Sequence, residues 1–291
     1  MTSTVQQLME KKIITPPKWM GSAIHYEVQM GSVAYGVSND NSDIDIYGFA
    51  VPPRSMIFPH EAGYIHGFDK NISNFEQYSQ HHIKYNAKEY DISIYGILKY
   101  FKLCMECNPN MIDSLFVPDR CVLHSTQLGQ HVRENRKEFL HKGAWHRYKG
   151  YSYSQIHKMK SKTSSGKRKE TIDEFGYDCK FGYHVVRLLD EVEQIMVEGD
   201  IDLERNREQL KAIRRGEWTL ADIEAYFSKK EQQLESVYAD SHLRNKPNVA
   251  KVKQILIDCL EMHYGSLDKV LNIPGKSDMI LQEIRSILDR E

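Results

Sequence analysis

The sequence predicts an α/β fold in which a small mixed β-sheet is followed by a mainly α-helical C-terminal domain. Residues 25–30 and 88–95 alternate apolar and polar side chains with the period of two that a half-buried β-strand requires. From residue 125 onward the apolar residues recur with the period of an amphipathic helix. This change of period divides the 291-residue chain near residue 120.

The composition is that of an ordinary soluble globular protein. Hydrophobic residues make up 41% of the chain and charged residues 27%, and the net charge of −1 argues against nonspecific coating of nucleic acid. No apolar run approaches the ~18 residues of a membrane span, and the N-terminal segment lacks the apolar core of a signal peptide. The five cysteines are expected to be reduced thiols. We therefore expect a cytoplasmic protein with no membrane partner.

Two aspartates open the second apolar run, in the order Ser42-Asp43-Ile44-Asp45. Successive side chains of a strand point to opposite faces, so Asp43 and Asp45 share one face while Ile44 turns into a core. Their Cα atoms are expected to lie roughly 7 Å apart. Two like charges at this distance oppose joint ionisation unless a cation lies between them. Oxygen ligands suit Mg²⁺, with Mn²⁺ as a second possibility.

Gly31 and Ser32 precede the two aspartates and have the properties of a phosphate-binding loop. A glycine lets the backbone approach a ligand closely, and exposed N–H groups together with a hydroxyl can donate hydrogen bonds to a triphosphate. Ser42, directly before Asp43, is included with Gly31 and Ser32 among the candidate nucleotide-binding residues. The alternative is that each short motif lies on an ordinary surface turn, where Asp-x-Asp sequences are common.

The combination of Gly-Ser, a short spacer and Ser-Asp-x-Asp resembles the signature of the DNA polymerase β-like nucleotidyltransferase superfamily. That resemblance implies a third carboxylate on a neighbouring strand. Asp91 is the candidate, because the alternation of residues 88–95 sets Glu89, Asp91 and Ser93 on one face. Glu89 is the second choice, since a register shift of two residues keeps the same face. An exposed strand acid without a function is the alternative for Asp91.

Further motifs narrow the resemblance. The chain contains GSxAYGxxxxxSDxD, then Asp91, then NPN followed by Leu115-Phe116, then YDxKxxxHxxRLL, and finally RxGEW ending at Trp218. Together they resemble the RNA repair pathway DNA polymerase β family of nucleotidyltransferases, over about residues 23–250. The resemblance implies a catalytic domain over residues 1–120 and a helical domain over residues 121–291 that closes the active-site cleft.

A zinc site is an alternative for four other residues. Cys104-x-x-Cys107 and Cys121-x-x-His124 have the ligand spacing of a tetrahedral structural site. Cys104 and Cys107 fall, however, on the apolar face of a predicted helix, which favours core packing.

A basic segment follows in the helical region. Residues 141–169 contain nine Lys or Arg residues, no Asp or Glu, and interleaved aromatic residues, a composition typical of a single-strand nucleic-acid groove. The alternative is a helix with buried aromatic side chains and a solvated basic face. The candidate nucleic-acid-binding residues are Arg147, Lys149, Lys158 and Lys160.

The clearest predicted helix spans residues 177–199 and ends at a glycine. Lys180, His184 and Arg187 are spaced at i, i+4 and i+7, so they form one stripe on its surface. Facing a triphosphate, these side chains would supply charge-assisted hydrogen bonds. The alternative is a solvent-facing stripe paired with acidic neighbours.

The function implied by these resemblances is the transfer of a nucleoside monophosphate from an NTP to a hydroxyl, with release of pyrophosphate. Asp43, Asp45 and Asp91 would be the catalytic residues and would hold two Mg²⁺ ions, with Mn²⁺ possible. An RNA 3′ end, for example of a tRNA, is the expected acceptor. The alternatives are nucleotidylation of a protein or small molecule, and a nucleotide-binding module without catalysis.

Overall fold

The computed structural model describes residues 2–38, 43–65, 74–160, 167–267 and 284, and the side chains of residues 160 and 167–170 are outside this description. Ser42 therefore lies outside the described residues, as does the side chain of Lys160.

In the described part of the chain, five strands form one sheet, which is mixed as predicted. They are β1 (Ile24–Gln29), β2 (Ile44–Ala50), β3 (Gln77–Tyr85), β4 (Lys88–Gly96) and β5 (Val122–Ser125). The strand order is β3-β4-β2-β1-β5. Strands β2 and β4 pair in parallel, and the other neighbours pair antiparallel. The α/β class with a helical C-terminal region is confirmed.

The two faces of the sheet pack against separate hydrophobic clusters. Ile46, Ile92 and Ile94 belong to the smaller cluster, which the N-terminal helix α1 (Thr4–Glu10) covers through Val5 and Leu8. The opposite face packs against the larger cluster, in which β1 and β2 side chains meet the helices that follow the sheet. Alternation along β2 gives Asp45 this second face, because Ile44 and Ile46 point to the first.

Ten further helices follow α1 in the described part of the chain, and their ends carry the expected signals. The helices are α2 (Arg54–Ile57), α3 (Ile97–Met105), α4 (Pro109–Phe116), α5 (Gln127–Glu134), α6 (Ala144–Lys160), α7 (Lys167–Phe175), α8 (Cys179–Glu198), α9 (Arg207–Arg214), α10 (Leu220–Asp240) and α11 (Val249–Tyr264). Asn108 caps α4, Thr219 and Asp222 form a capping box at α10, and Gly199 ends α8 in the left-handed conformation.

Two strands were not predicted from the sequence. No strand was assigned from the sequence to residues 77–85, whose polar side chains fall on both faces of an edge strand. Strand β5 has four residues, too few to show a period, and it pairs with β1. The predicted domain boundary at residue 120 precedes β5, so the sheet includes residues beyond that boundary.

Among the described helices, none has both the length and the apolar character needed to cross a membrane.

His25 of β1 joins the sheet to the last described long helix. Its Nδ1 lies 2.9 Å from Oγ1 of Thr126, and its Nε2 lies 2.9 Å from Nδ1 of His263 in α11. Burial, together with the nearby imidazoles of His263 and His124, lowers the pKa of His25 from 6.5 to about 4. The folded protein therefore favours the neutral imidazole.

We expect the free energy of unfolding to fall as the pH drops from 6.5 to about 4, because the unfolded chain then binds a proton at His25 that the folded chain does not. The loss from this group reaches up to about 3 kcal/mol. Urea unfolding of the wild type and of His25→Gln across this pH range measures the difference. An equal pH dependence in the two proteins would contradict the assignment.

Candidate active site

The parallel pairing of β2 with β4 sets two carboxylates side by side. Asp45 lies directly opposite Asp91 in the register, on strands that run roughly 4.8 Å apart. Asp43 is exposed and directly precedes β2. The sequence prediction that Asp91 lies on a strand next to that of Asp45 is thus confirmed, while the roles of these residues stay predictions.

The electrostatics of Asp45 reflect this crowding. Burial and the charge of Asp91 raise the pKa of Asp45 from 3.8 to about 6, and Asp43 adds to the rise. The nearby charges of Lys180 and His81 act in the opposite direction. The nearby cations among the described residues therefore do not fully offset the effects of burial and carboxylate repulsion on Asp45.

Gly31 lies against the Asp45 carboxylate. A Cβ at position 31 would stand 2.0 Å from Oδ2 of Asp45, and Gly31 has a φ of +67°. The N–H of Met30 donates to the Asp45 carbonyl at 2.7 Å, which fixes the end of β1 beside β2. Glycine is required here both for the left-handed backbone and for the close approach of the carboxylate.

Residues 31–37, called the Gly-Ser loop below, are closed on themselves and held by arginines. Val37 N–H donates to the Ser32 carbonyl at 2.9 Å. Arg120 donates to the Val33 carbonyl at 3.2 Å, and Arg214 donates to the Val37 carbonyl at 2.6 Å. The loop that sequence analysis assigned to phosphate is therefore supported by side chains from far along the chain.

Strand β3 contributes residues that the sequence analysis missed. A bulge at β3 gives His82 a φ of +57°, and its N–H donates to Oδ1 of Asp91 at 2.8 Å. His82 Nδ1 also contacts Glu89, and His81 Nδ1 lies 3.6 Å from Asp91. The His-His pair at the edge of a polar segment was the available signal. This pair was not singled out from the sequence, because β3 itself was not predicted.

The donor atoms fit a divalent cation. His82, Glu89 and Asp91 each offer a ligand atom, and these atoms lie within 4.8 Å of one another. Carboxylate oxygens suit Mg²⁺ and Mn²⁺, and a single imidazole is compatible with Mn²⁺. The raised pKa of Asp45 is the second sign of fit, since a cation would offset the repulsion from Asp91.

The three residues of the predicted stripe on α8 differ in their exposure to solvent. Lys180 is exposed in the first turn, and its charge lowers the pKa of Asp45. His184 is half-buried, with its ring centroid 4.2 Å from that of Tyr183. Arg187 is only 5% exposed and lies inside the protein.

Arg187 is bound by two buried carboxylates. It contacts Asp113 and donates to Glu191 at 3.0 Å, and its guanidinium stacks 4.2 Å from the ring centroid of Tyr35. The Tyr35 hydroxyl in turn donates to Asp113 at 2.8 Å. Burial raises the pKa of both carboxyls, and the charge of Arg187 opposes that rise. This buried network anchors the Gly-Ser loop to α4 and α8.

Arg187 was expected from the sequence to face a nucleotide, but the side chain is buried. The stripe has the predicted helical spacing, but Arg187 lies seven residues, or roughly 10 Å, further along the helix axis than Lys180. Over that length α8 passes from the surface into the larger cluster. Arg187 reaches the Gly-Ser loop through Tyr35. Its contact with a nucleotide stays a prediction.

Two cations of the basic segment are paired with carboxylates within the protein. Arg147 pairs with Glu106 at 2.8 Å, and Lys149 pairs with Glu231 and Glu235, both at 2.8 Å. Lys158 lies 6.0 Å from the Phe181 ring centroid. Trp145 and Tyr148 are buried, as in the alternative considered from the sequence. Nucleic-acid binding by these cations stays a prediction.

The cysteines lie in the core. Cys104, Cys107 and Cys121 belong to the larger hydrophobic cluster, and burial raises the pKa of each thiol. No group of three or more possible metal ligands in the described part of the chain includes them. These observations favour core packing over zinc.

Replacing Gly31 by Ala is expected to destabilise the fold more than the same change at Gly63. Both glycines have positive φ, which costs an alanine about 1–2 kcal/mol, but no atom lies within 4 Å of the site where a Cβ would stand at Gly63. The clash with Asp45 adds about 1–3 kcal/mol at Gly31. Denaturant unfolding and Mn²⁺ titration of both variants test this. Equal stability and equal Mn²⁺ affinity would refute the close contact.

Arg187→Met is expected to cost about 3–5 kcal/mol of unfolding free energy, because it leaves the carboxyls of Asp113 and Glu191 buried without their cation. Arg205→Met, which breaks an exposed pair with Glu198, is the control and should cost less than about 1 kcal/mol. Chemical denaturation of both variants gives the comparison. Similar losses in the two would show that the buried network contributes little.

The match to a family model agrees with the motifs. The RNA repair pathway DNA polymerase beta family matches residues 3–258. No curated protein shows a significant sequence match to the chain. A solved nucleotidyltransferase-like protein from Exiguobacterium sibiricum 255-15 aligns over 88% of this chain and 74% of that chain, with 8% identity and a TM-score of 0.30. Because the family match covers most of its length, this chain belongs to the RNA repair pathway DNA polymerase beta family and is a nucleotidyltransferase.

Proposed function

We propose that the protein transfers a nucleoside monophosphate from an NTP to the hydroxyl at an RNA 3′ end, releasing pyrophosphate, in a reaction that depends on Mg²⁺ or Mn²⁺. The observation that carries this proposal is the register that sets Asp45 opposite Asp91. Gly31 lies beside Asp45, at a position where a side chain would clash with the carboxylate.

The acidic residues provide the metal site. Asp43, Asp45 and Asp91 would hold the divalent cations, with Glu89 and His82 next to Asp91. The bound cations would neutralise the triphosphate and make the acceptor oxygen a better nucleophile. The His82 N–H keeps the Asp91 carboxylate fixed at the sheet edge, so its geometry is set before substrate binds.

The Gly-Ser loop and α8 provide the nucleotide site. Gly31 lets the backbone approach the phosphates, and Ser32 offers a hydroxyl donor. Lys180 is the exposed cation nearest to this position on α8, and its charge already acts on Asp45. Orientation and charge neutralisation are sufficient for phosphoryl-type chemistry, because the protein need not form a covalent intermediate.

The sheet face beside the carboxylates supports an extended acceptor. Ser79 and Gln77 are exposed on β3 and pair with Ser93 and Tyr95 of β4, on the face that Asp91 shares. Polar side chains on an open strand edge offer hydrogen bonds to sugar and base atoms. An acceptor lying on this face would lead directly to Asp91.

Tyrosines near this face support a nucleic-acid acceptor. The Tyr47 and Tyr95 ring centroids lie 6.4 Å apart, and Tyr151 of α6 is 37% exposed. Burial, the nearby Tyr95 and the charges of Asp45 and Asp91 raise the pKa of Tyr47, so this ring lies close to the candidate metal ligands. Aromatic rings bind unpaired bases by stacking, at about 1–3 kcal/mol per base.

Asp45→Asn and Asp91→Asn are each expected to lower the transfer rate at least about a hundredfold, because a bound cation supplies several kcal/mol of transition-state stabilisation. The exposed Asp240→Asn is the matched control and should keep wild-type activity. Incorporation of labelled NTP into RNA, with thermal melts of all variants, is the measurement. Full activity of either site variant would rule out the proposed carboxylate role.

The acceptor is tested with labelled NTPs, Mg²⁺ and either an RNA pool or a protein extract. Label at RNA 3′ ends is the expected result. Periodate treatment of the RNA before the reaction should prevent this labelling. Label on protein alone would reject the RNA acceptor while leaving nucleotidyl transfer intact.

A further inference from the structure

Three cations surround a shallow pocket of about 220 Å³ at the C-terminal end of α9. Its lining consists of Val37, Lys211, Arg214 and Arg215. Arg214 and Arg215 open the RxGEW motif, which contributed to the family resemblance without receiving a role. Val37 ends the Gly-Ser loop, so the pocket adjoins the proposed nucleotide site.

Arg214 is the unusual member of this group. It is half-buried, and no carboxylate among the described residues lies within ion-pair distance of it. Its guanidinium donates to the Val37 carbonyl at 2.6 Å and lies 5.6 Å from the Tyr183 ring centroid. Among the described residues this is the one hydrogen bond that the Arg214 side chain makes, which leaves four of its five N–H donors for an anion.

The other two cations have only exposed partners. Lys211 pairs with Glu208 at 3.0 Å, and Arg215 pairs with Glu217 at 2.5 Å. Exposed pairs of this kind contribute little and are readily exchanged for a stronger anion. The pocket can therefore present three positive charges to a ligand.

The pocket is connected to the reaction site through short contacts. Val37 N–H donates to the Ser32 carbonyl, so Arg214 is two hydrogen bonds away from Ser32. Tyr183, beside Arg214, lies close enough to Asp45 for that charge to add to the burial that raises the pKa of the Tyr183 hydroxyl. Ser32 and the pocket therefore adjoin the same hydrogen-bonded loop.

We propose that Lys211, Arg214 and Arg215 bind the β- and γ-phosphates of the NTP and release them as pyrophosphate. This inference rests on the proposed function. A triphosphate tail carries several negative charges close together, whereas each phosphodiester of an RNA carries one, so a compact site with three cations matches the former. Arg214 takes the phosphate-binding role that the sequence had assigned to the buried Arg187.

The test is calorimetric titration of the full chain with inorganic tripolyphosphate, α,β-methylene ATP and AMP in the presence of Mg²⁺. Arg214→Gln and the double variant K211Q/R215Q are each expected to weaken the first two ligands at least about tenfold, since charge-assisted hydrogen bonds to anions are lost. AMP affinity should not change. Arg205→Gln, which removes an exposed arginine elsewhere, should bind all three as the wild type does.

The double variant separates charge from loop support, because it leaves the bond from Arg214 to Val37 intact. Tripolyphosphate and α,β-methylene ATP affinities within twofold of wild type in both variants would overturn the pocket assignment alone. In a parallel titration with single-stranded RNA, a loss of RNA affinity in these variants with NTP affinity retained would assign the pocket to the acceptor and equally overturn the proposal. Failure of the wild type to bind any NTP would reject the proposed function itself and the pocket with it.

Discussion

The parallel pairing of β2 with β4 is the constraint on which the rest of the structure depends. It places Asp45 opposite Asp91, and the resulting repulsion appears as the raised pKa of Asp45. Parallel neighbours need a long crossover, and here the crossover contains β3, which returns antiparallel to β4. The same connection that permits the pairing therefore supplies the His82 N–H that holds Asp91. Fold and site arise from one topological feature.

Arginines from distant parts of the chain stabilise the site by supporting the Gly-Ser loop. Arg120 and Arg214 bind carbonyls of the Gly-Ser loop, and Arg187 stacks on Tyr35 within it. Tyr35 and Val37 of the loop are also buried in the larger hydrophobic cluster, so apolar packing and these polar contacts together set its conformation. Arg187 thus positions the loop from the protein interior, and Arg214 adds a hydrogen-bond donor at the end of the loop near Val37.

Much of the fold was predictable because local signals agreed with the tertiary arrangement. The α8 helix ends at Gly199, α10 begins at Thr219, and β4 shows the alternation expected of a strand with two different faces. Strands β3 and β5 lacked such signals, since an edge strand can be polar on both sides and a four-residue strand shows no period. Periodicity detects a face only where the two faces differ in polarity.

The sequence by itself determined which acids could share a face, that a glycine precedes them, and which family the chain resembles. Those features are local: strand alternation, backbone freedom and motif spacing act over a few residues. Only the tertiary structure decided that Asp91 stands opposite Asp45, that Arg187 is buried while Lys180 is exposed, and that Arg214 adjoins Val37. Helical spacing sets the direction in which a side chain points from the helix axis. It does not set whether that turn of the helix is buried, because burial depends on which elements pack against it.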